Sequence, residues 1–210
     1  MLYGARFSLT VGVVAVAIGL FIGVTLGAIA GYFGGVLENV IMRFTDILQA
    51  IPGILMAIVI VAVIGPSTVN LMLAIGITSV PQFVRITRAS VLSMKNEQYV
   101  ESARSIGLSS VKIIFKHILP NCLSPIIVLS TLRVASAIIA ASGLSFLGLG
   151  VPAPDPEWGG LLSAGRKYIR SYSYMTFFPG LAIMVTVLAL NLMGDGLRDA
   201  LDPKLKNVLK

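Results

Sequence analysis

Few residues in this sequence could do chemistry, and they are not arranged to do any. There is one histidine and one cysteine among 210 residues. His117 stands among basic neighbours and cannot by itself build a metal site, and Cys122 has no partner for an internal disulfide and carries no motif. No nucleophile–base pair and no His/Asp/Glu cluster is spelled out, as a membrane enzyme would need. A Gly-x4-Gly-Lys-Ser/Thr phosphate loop is absent from the sequence, so any ATP hydrolysis is expected in another chain. Neither a cofactor nor a metal is implied. Two polar features remain: a basic island over Tyr99–Asn121, and Arg133 in the middle of an apolar run.

The island must be positioned by short helices. Val100, Ala103 and Ile106 recur every three residues, placing a small apolar stripe on one helix. Asn96 and Glu97 mark its start and Gly107 its stop, because glycine accepts the left-handed conformation that ends helices. Ser109 or Ser110 then caps a second helix with Val111, Ile114, Phe115 and Ile118 on one face, and Lys112, Lys116 and His117 off it. The expected unit is a pair of short helices hinged at Gly107, lying along a membrane surface between two spans. Arginine at mid-membrane is costly. Arg133 is therefore expected at a transport path or a subunit interface, or else snorkelling where Pro125 bends its helix.

A hydrophobic content of 56%, a charged content of 12% and a mean hydropathy of +0.92 are far from the norm for soluble domains. The fold class read from this is all-α, a single polytopic membrane domain over residues 1–210 with about five spans. Their expected bounds are 7–30, 47–64 with a break at Pro52-Gly53, 69–84, 118–142 and 175–192. Glu38, Arg43 and Asp46 read as a polar turn after the first span, and Arg85 and Arg88 as the end of the third. Gly19, Gly23, Gly27 and Gly31 recur every four residues and stack on one helix face, where another helix can approach closely. Three prolines at 152–156 preclude a helix there, and Trp158 suits a membrane interface.

The net charge of +7 could suggest nucleic acid, but the basic residues are confined to particular loops. If the island is cytoplasmic, one side holds eleven, namely Arg43, Arg85, Arg88, Lys95, Arg104, Lys112, Lys116, Arg198, Lys204, Lys206 and Lys210. The other side holds four: Arg6, Arg166, Lys167 and Arg170. The asymmetry follows the positive-inside rule and puts the C-terminus in the cytoplasm and the N-terminus outside.

Glu101-Ser-Ala103, three residues, Gly107, and later Leu119-Pro120 resemble the "EAA" loop of permease subunits of binding-protein-dependent ABC importers. Ser102 replaces the middle alanine of that pattern and His117 the usual isoleucine. The stretch Ser145-Phe-Leu-Gly-Leu-Gly-Val151, a Pro-rich turn and Trp158-Gly resembles the C-type subunits of the dipeptide, oligopeptide and nickel branch. So do Phe178-Pro-Gly-Leu, 191–203 and Tyr3-Gly-Ala-Arg-Phe-Ser, so that the resemblance covers essentially the whole chain. It implies a cytoplasmic loop at about 89–117 whose Glu101, Ser102, Ala103, Arg104, Ser105, Gly107 and Leu108 couple to an ATPase, and an external segment at about 143–174. It also implies a second homologous permease subunit, two cytoplasmic ATPases and an external solute-binding protein in a cytoplasmic membrane. Such relatives carry one more span before the Tyr-Gly-Ala-Arg run, so Met1 is expected to be an internal methionine or a late start, with a natural five-span permease as the alternative. Peptides are the first expected solute and nickel or a metal chelate the second. A stand-alone secondary transporter, suited by the broken helices at Pro52, Pro81 and Pro125, is the alternative of another class.

Overall fold

A computed structural model describes residues 1–201 of the chain. Lys204, Lys206 and Lys210, which enter the charge count above, lie outside the described residues. The first helix, α1 (Leu2–Phe33), has no charged residue after Arg6. It stops at Gly34, whose φ of 68° only glycine adopts easily and whose amide donates to Ala30 O.

The polar turn expected around Glu38 is instead a second helix, α2 (Gly35–Ala50). Its two carboxylates are paired with residues far along the chain. Glu38 pairs with Arg88 and Asp46 with Arg85, the latter at 2.6 Å. The partners are eight residues apart on α2 but three apart on the other helix, about 12 Å against 4.5 Å of rise, so the two helices cross obliquely. The second span is therefore not one kinked helix. Ile51 and Pro52 are extended, α3 (Gly53–Ile64) starts afresh, and the two axes differ by 89°.

Ser67 caps α4 (Thr68–Met94) by accepting from Asn70 N, while Asn70 Nδ2 donates to the carbonyls of Ile64 and Gly65 and closes the turn. This helix passes through Pro81 and beyond Arg85 and Arg88, so the third span is longer than its apolar run. Both arginines in this continuation pair with acids of α2.

After the loop come α5 (Gln98–Ser105) and a single irregular helical run from Ser110 to Phe146. That run begins as α6 (Ser110–Lys112), passes through a π turn (Ile113–Ile118) and a 3₁₀ turn (Leu119–Cys122), and ends as α7 (Leu123–Phe146). Pro120 has no N–H to donate back along the helix, which is where the register changes. Asn121 Nδ2 takes up the His117 carbonyl instead, at 2.7 Å. Beyond a non-helical stretch lie α8 (Trp158–Gly165) and α9 (Tyr174–Leu201).

Among the described residues, four helical runs are long and apolar enough to cross a membrane, or five if the bent α2–α3 pair counts as one. Val11, Ala15, Val61, Leu71, Ile75, Phe83, Ala137 and Leu144 fill the core between α1, α3, α4 and α7.

The seam between α1 and α4 sets the glycines of one helix against backbone carbonyls and Cβ atoms of the other. A Cβ on Gly19 would lie 2.8 Å from Gly76 O, on Gly23 2.9 Å from Val80 O, on Gly27 2.6 Å from Val84 O and on Gly31 3.0 Å from Arg88 O. Glycines every four residues on one helix meet carbonyls every four residues on the other. The two helices therefore run parallel along this seam.

Candidate functional site

The island folds at one end of this bundle. α5 has two faces. Val100 and Ala103 are buried in a cluster with Ala28 of α1, Val91 of α4, and Ile113, Ile114, Ile118 and Cys122 of the long run. Glu101, Ser102, Arg104 and Ser105 are exposed on the other face. Ser102 Oγ donates to Gln98 O and Ser105 Oγ to Glu101 O, so both hydroxyls are folded onto their own helix. The Glu101 carboxylate makes no hydrogen bond or ion pair among the described residues. The Arg104 guanidinium sits 5.8 Å from the centre of the Tyr32 ring, a cation–π contact that ties α5 to the end of α1.

Gly107 ends α5 with a φ of 77°; its amide donates to Arg104 O and that of Leu108 to Ala103 O. These are the two bonds of a Schellman cap, and Leu108 packs back toward Ala103 in the same buried cluster, as such caps do. A Cβ at Gly107 would meet nothing within 4 Å, so the demand for glycine is conformational and not steric. The chain then reverses into Ser109 and the long run.

Two expected apolar faces differ from those observed. Ile106 is 76% exposed at the end of α5. In the second element Ile113, Ile114 and Ile118 are buried while Val111 and Phe115 are exposed at 63% and 59%. The π turn spends one extra residue, which rotates the face away from the simple helical period. The second helix of the expected pair is thus the start of the long run itself. Its Val111 and Phe115, like Ile106 and Glu101, are exposed.

Arg133 lies midway along α7. Its Nη2 donates to Ser79 Oγ of α4 at 3.1 Å, and its Nε is buried without a partner. It faces a cavity of about 290 Å³ at the α2–α3 break.

At the other end of the bundle sequence reasoning missed a buried carboxylate. Glu157 is 1% exposed and caps α8, accepting from Gly160 N at 2.9 Å. It also accepts from Ser8 Oγ of α1 at 3.1 Å and Ser142 Oγ of α7 at 3.4 Å. An acid three residues before a helical amide, at the head of Trp158-Gly-Gly160, is an N-cap signal that could have found it. Trp158 is 5% exposed, packed on Gly4, with Nε1 donating to Met1 O.

Residues 23–207 match the family model described as "Binding-protein-dependent transport system inner membrane component". The chain is 51% identical over 207 residues to the dipeptide transport system permease protein of Alkalihalophilus pseudofirmus, covering 99% of this chain and 68% of that one. It is 48% identical over 207 residues to the glutathione transport system permease protein of Pectobacterium atrosepticum, covering 99% and 69%. Its fold is similar to that of the inward-facing MetNI methionine ABC transporter, with a TM-score of 0.75 at 17% identity over 95% of this chain and 94% of that one. The chain belongs to the family of inner-membrane components of binding-protein-dependent transport systems: it is the multi-pass, non-enzymatic permease of an ABC importer that works with ATPase and binding-protein partners.

Proposed function

We propose that the chain is one half of a peptide-importing pore, paired with a second homologous permease subunit, with the α5 end and the C-terminus in the cytoplasm. Di- and oligopeptides, with glutathione as a chemically related case, are the solute class, because the dipeptide and glutathione permeases above are the relatives at about half identity. The observation that carries the coupling role is the two-sidedness of α5. One side is clamped into the cluster shared by α1, α4 and the long run; the other presents Glu101, Ser102, Arg104 and Ser105. A cytoplasmic ATPase gripping the free side moves all three helices together, since the Gly107 cap leaves no slack between α5 and the run that follows.

Gly107→Val is expected to strain the left-handed position by about 1–2 kcal/mol. Glu101→Lys reverses the charge offered to the ATPase. Both variants are expected to insert and assemble, yet lose peptide uptake and binding-protein stimulation of ATP hydrolysis in proteoliposomes. Full coupled uptake in both would show that this loop is not the coupling contact.

A further inference from the structure

The cavity beside Arg133 opens where α2 breaks, and it is lined by α3, α4 and α7. Three features set it apart from an ordinary packing gap. First, Gln82 near the centre of α4 and Ser136 near the centre of α7 are both exposed into it, together with Gln49 at the end of α2. A side-chain amide such as that of Gln82 is costly against hydrocarbon, whereas the Ser136 hydroxyl donates to Leu132 O of its own helix. Secondly, the extended backbone at Ile51–Pro52 lines the same cavity, and irregular backbone within a bilayer is tolerated only where protein covers it or water reaches it. Thirdly, the one charged group is a cation without a counter-ion. Among the described residues no carboxylate pairs with Arg133, whose only hydrogen-bond partner is neutral Ser79 and whose Nε is buried and unsatisfied.

A guanidinium held this way is an incomplete carboxylate site. Its planar fork matches a carboxylate with two parallel donors, and Gln49 and Gln82 can supply further amide donors at the rim. We propose that this cleft is a station on the transport path at which Arg133 takes the C-terminal carboxylate of the passing peptide. This rests on the peptide-import reading above, and it adds the chemical group that the permease itself recognises.

The test uses the whole importer in proteoliposomes, with loaded binding protein outside, ATP supplied to the ATPases, and radiolabelled alanyl-alanine as the probe. Arg133→Gln keeps a neutral donor for Ser79 and removes the charge; Arg133→Lys keeps the charge. The expected result is that Arg133→Gln retains binding-protein-stimulated ATP hydrolysis while uptake per transporter falls roughly tenfold or more, the scale of a lost charge-assisted hydrogen bond. Arg133→Lys is expected to fall between Arg133→Gln and the unaltered importer. Equal uptake in Arg133→Gln and the unaltered importer overturns the proposal, as does a lysine variant no better than the glutamine one. Lowered assembly with normal uptake per assembled transporter also overturns it, since the arginine would then pair with the partner permease. If Arg133→Gln does not assemble, Ser136→Cys with the arginine intact decides. Turnover of alanyl-alanine is expected to slow its labelling by an anionic thiol reagent, and unchanged labelling overturns the proposal. An unaltered importer with stimulated ATP hydrolysis but no alanyl-alanine uptake would remove the peptide-import reading itself.

Discussion

Gly27→Ala adds one methyl group to the α1–α4 seam. The new Cβ would lie 2.6 Å from Val84 O and 2.8 Å from Thr87 Cβ. Ordinary carbon contacts begin near 3.4 Å, so the helices must part by about 0.8 Å at that point, and the obstructing atom is a backbone carbonyl with no rotamer to adopt. Overpacking of this kind costs about 1–3 kcal/mol. Gly143→Ala on α7 is the matched control, because a Cβ there meets nothing within 4 Å. It exchanges glycine for alanine inside a helix, a gain of about 0.5–1 kcal/mol. At about 2–4 °C per kcal/mol for a chain of this size, Gly27→Ala is expected to lower the apparent melting temperature by several degrees and Gly143→Ala to hold or raise it. Heating the tagged, detergent-solubilised permease and following the monodisperse fraction by fluorescence size exclusion would measure both. Identical melting of the two variants would refute the claim that backbone contact at the seam determines the loss.

Two further outcomes are expected. With the buried Cys122 replaced by alanine, an impermeant thiol reagent added outside intact cells should label Lys167→Cys and spare Arg104→Cys, both of which are exposed positions; the reverse pattern would invert the proposed orientation. Glu157→Gln removes the charge that Ser8, Ser142 and the Gly160 amide address, at a cost of about 1–3 kcal/mol for such a buried group. Trp158, the sole tryptophan, is the next residue, is buried, and donates its amide to the same Ser8 hydroxyl, so the fluorescence of the purified permease should shift to the red, and an unshifted spectrum with unchanged melting would show the carboxylate to be dispensable.

What could be read from the sequence were the properties a segment owns by itself. The long apolar runs of α1, α7 and α9 announce themselves by composition, and the prolines at 152–156 exclude a helix wherever they are placed. The departures trace to distant partners. Glu38, Arg43 and Asp46 looked like a turn, and Arg85 and Arg88 like a helix end, because ion pairs spanning 39 and 50 residues cannot be seen locally. The burial of Trp158 could not be read locally because its cover comes from Gly4, at the far end of the chain. The period of the glycines told which face of α1 was small, but not which helix would meet it. In the island, Val111 and Phe115 were assigned inward by a period that the π turn interrupts.

The seam has a genetic consequence. When two side chains clash, a smaller residue on the opposite helix can restore the fit, and second-site suppressors arise. Across α1 and α4 the atoms facing Gly19, Gly23, Gly27 and Gly31 include the carbonyl oxygens of residues 76, 80, 84 and 88. Every amino acid carries that oxygen in the same place. No replacement at those four α4 positions can remove the obstruction, so compensation for a bulkier residue on the glycine face must come from moving a whole helix. Lineages are therefore expected to lose these glycines rarely and to recover from their loss by reversion.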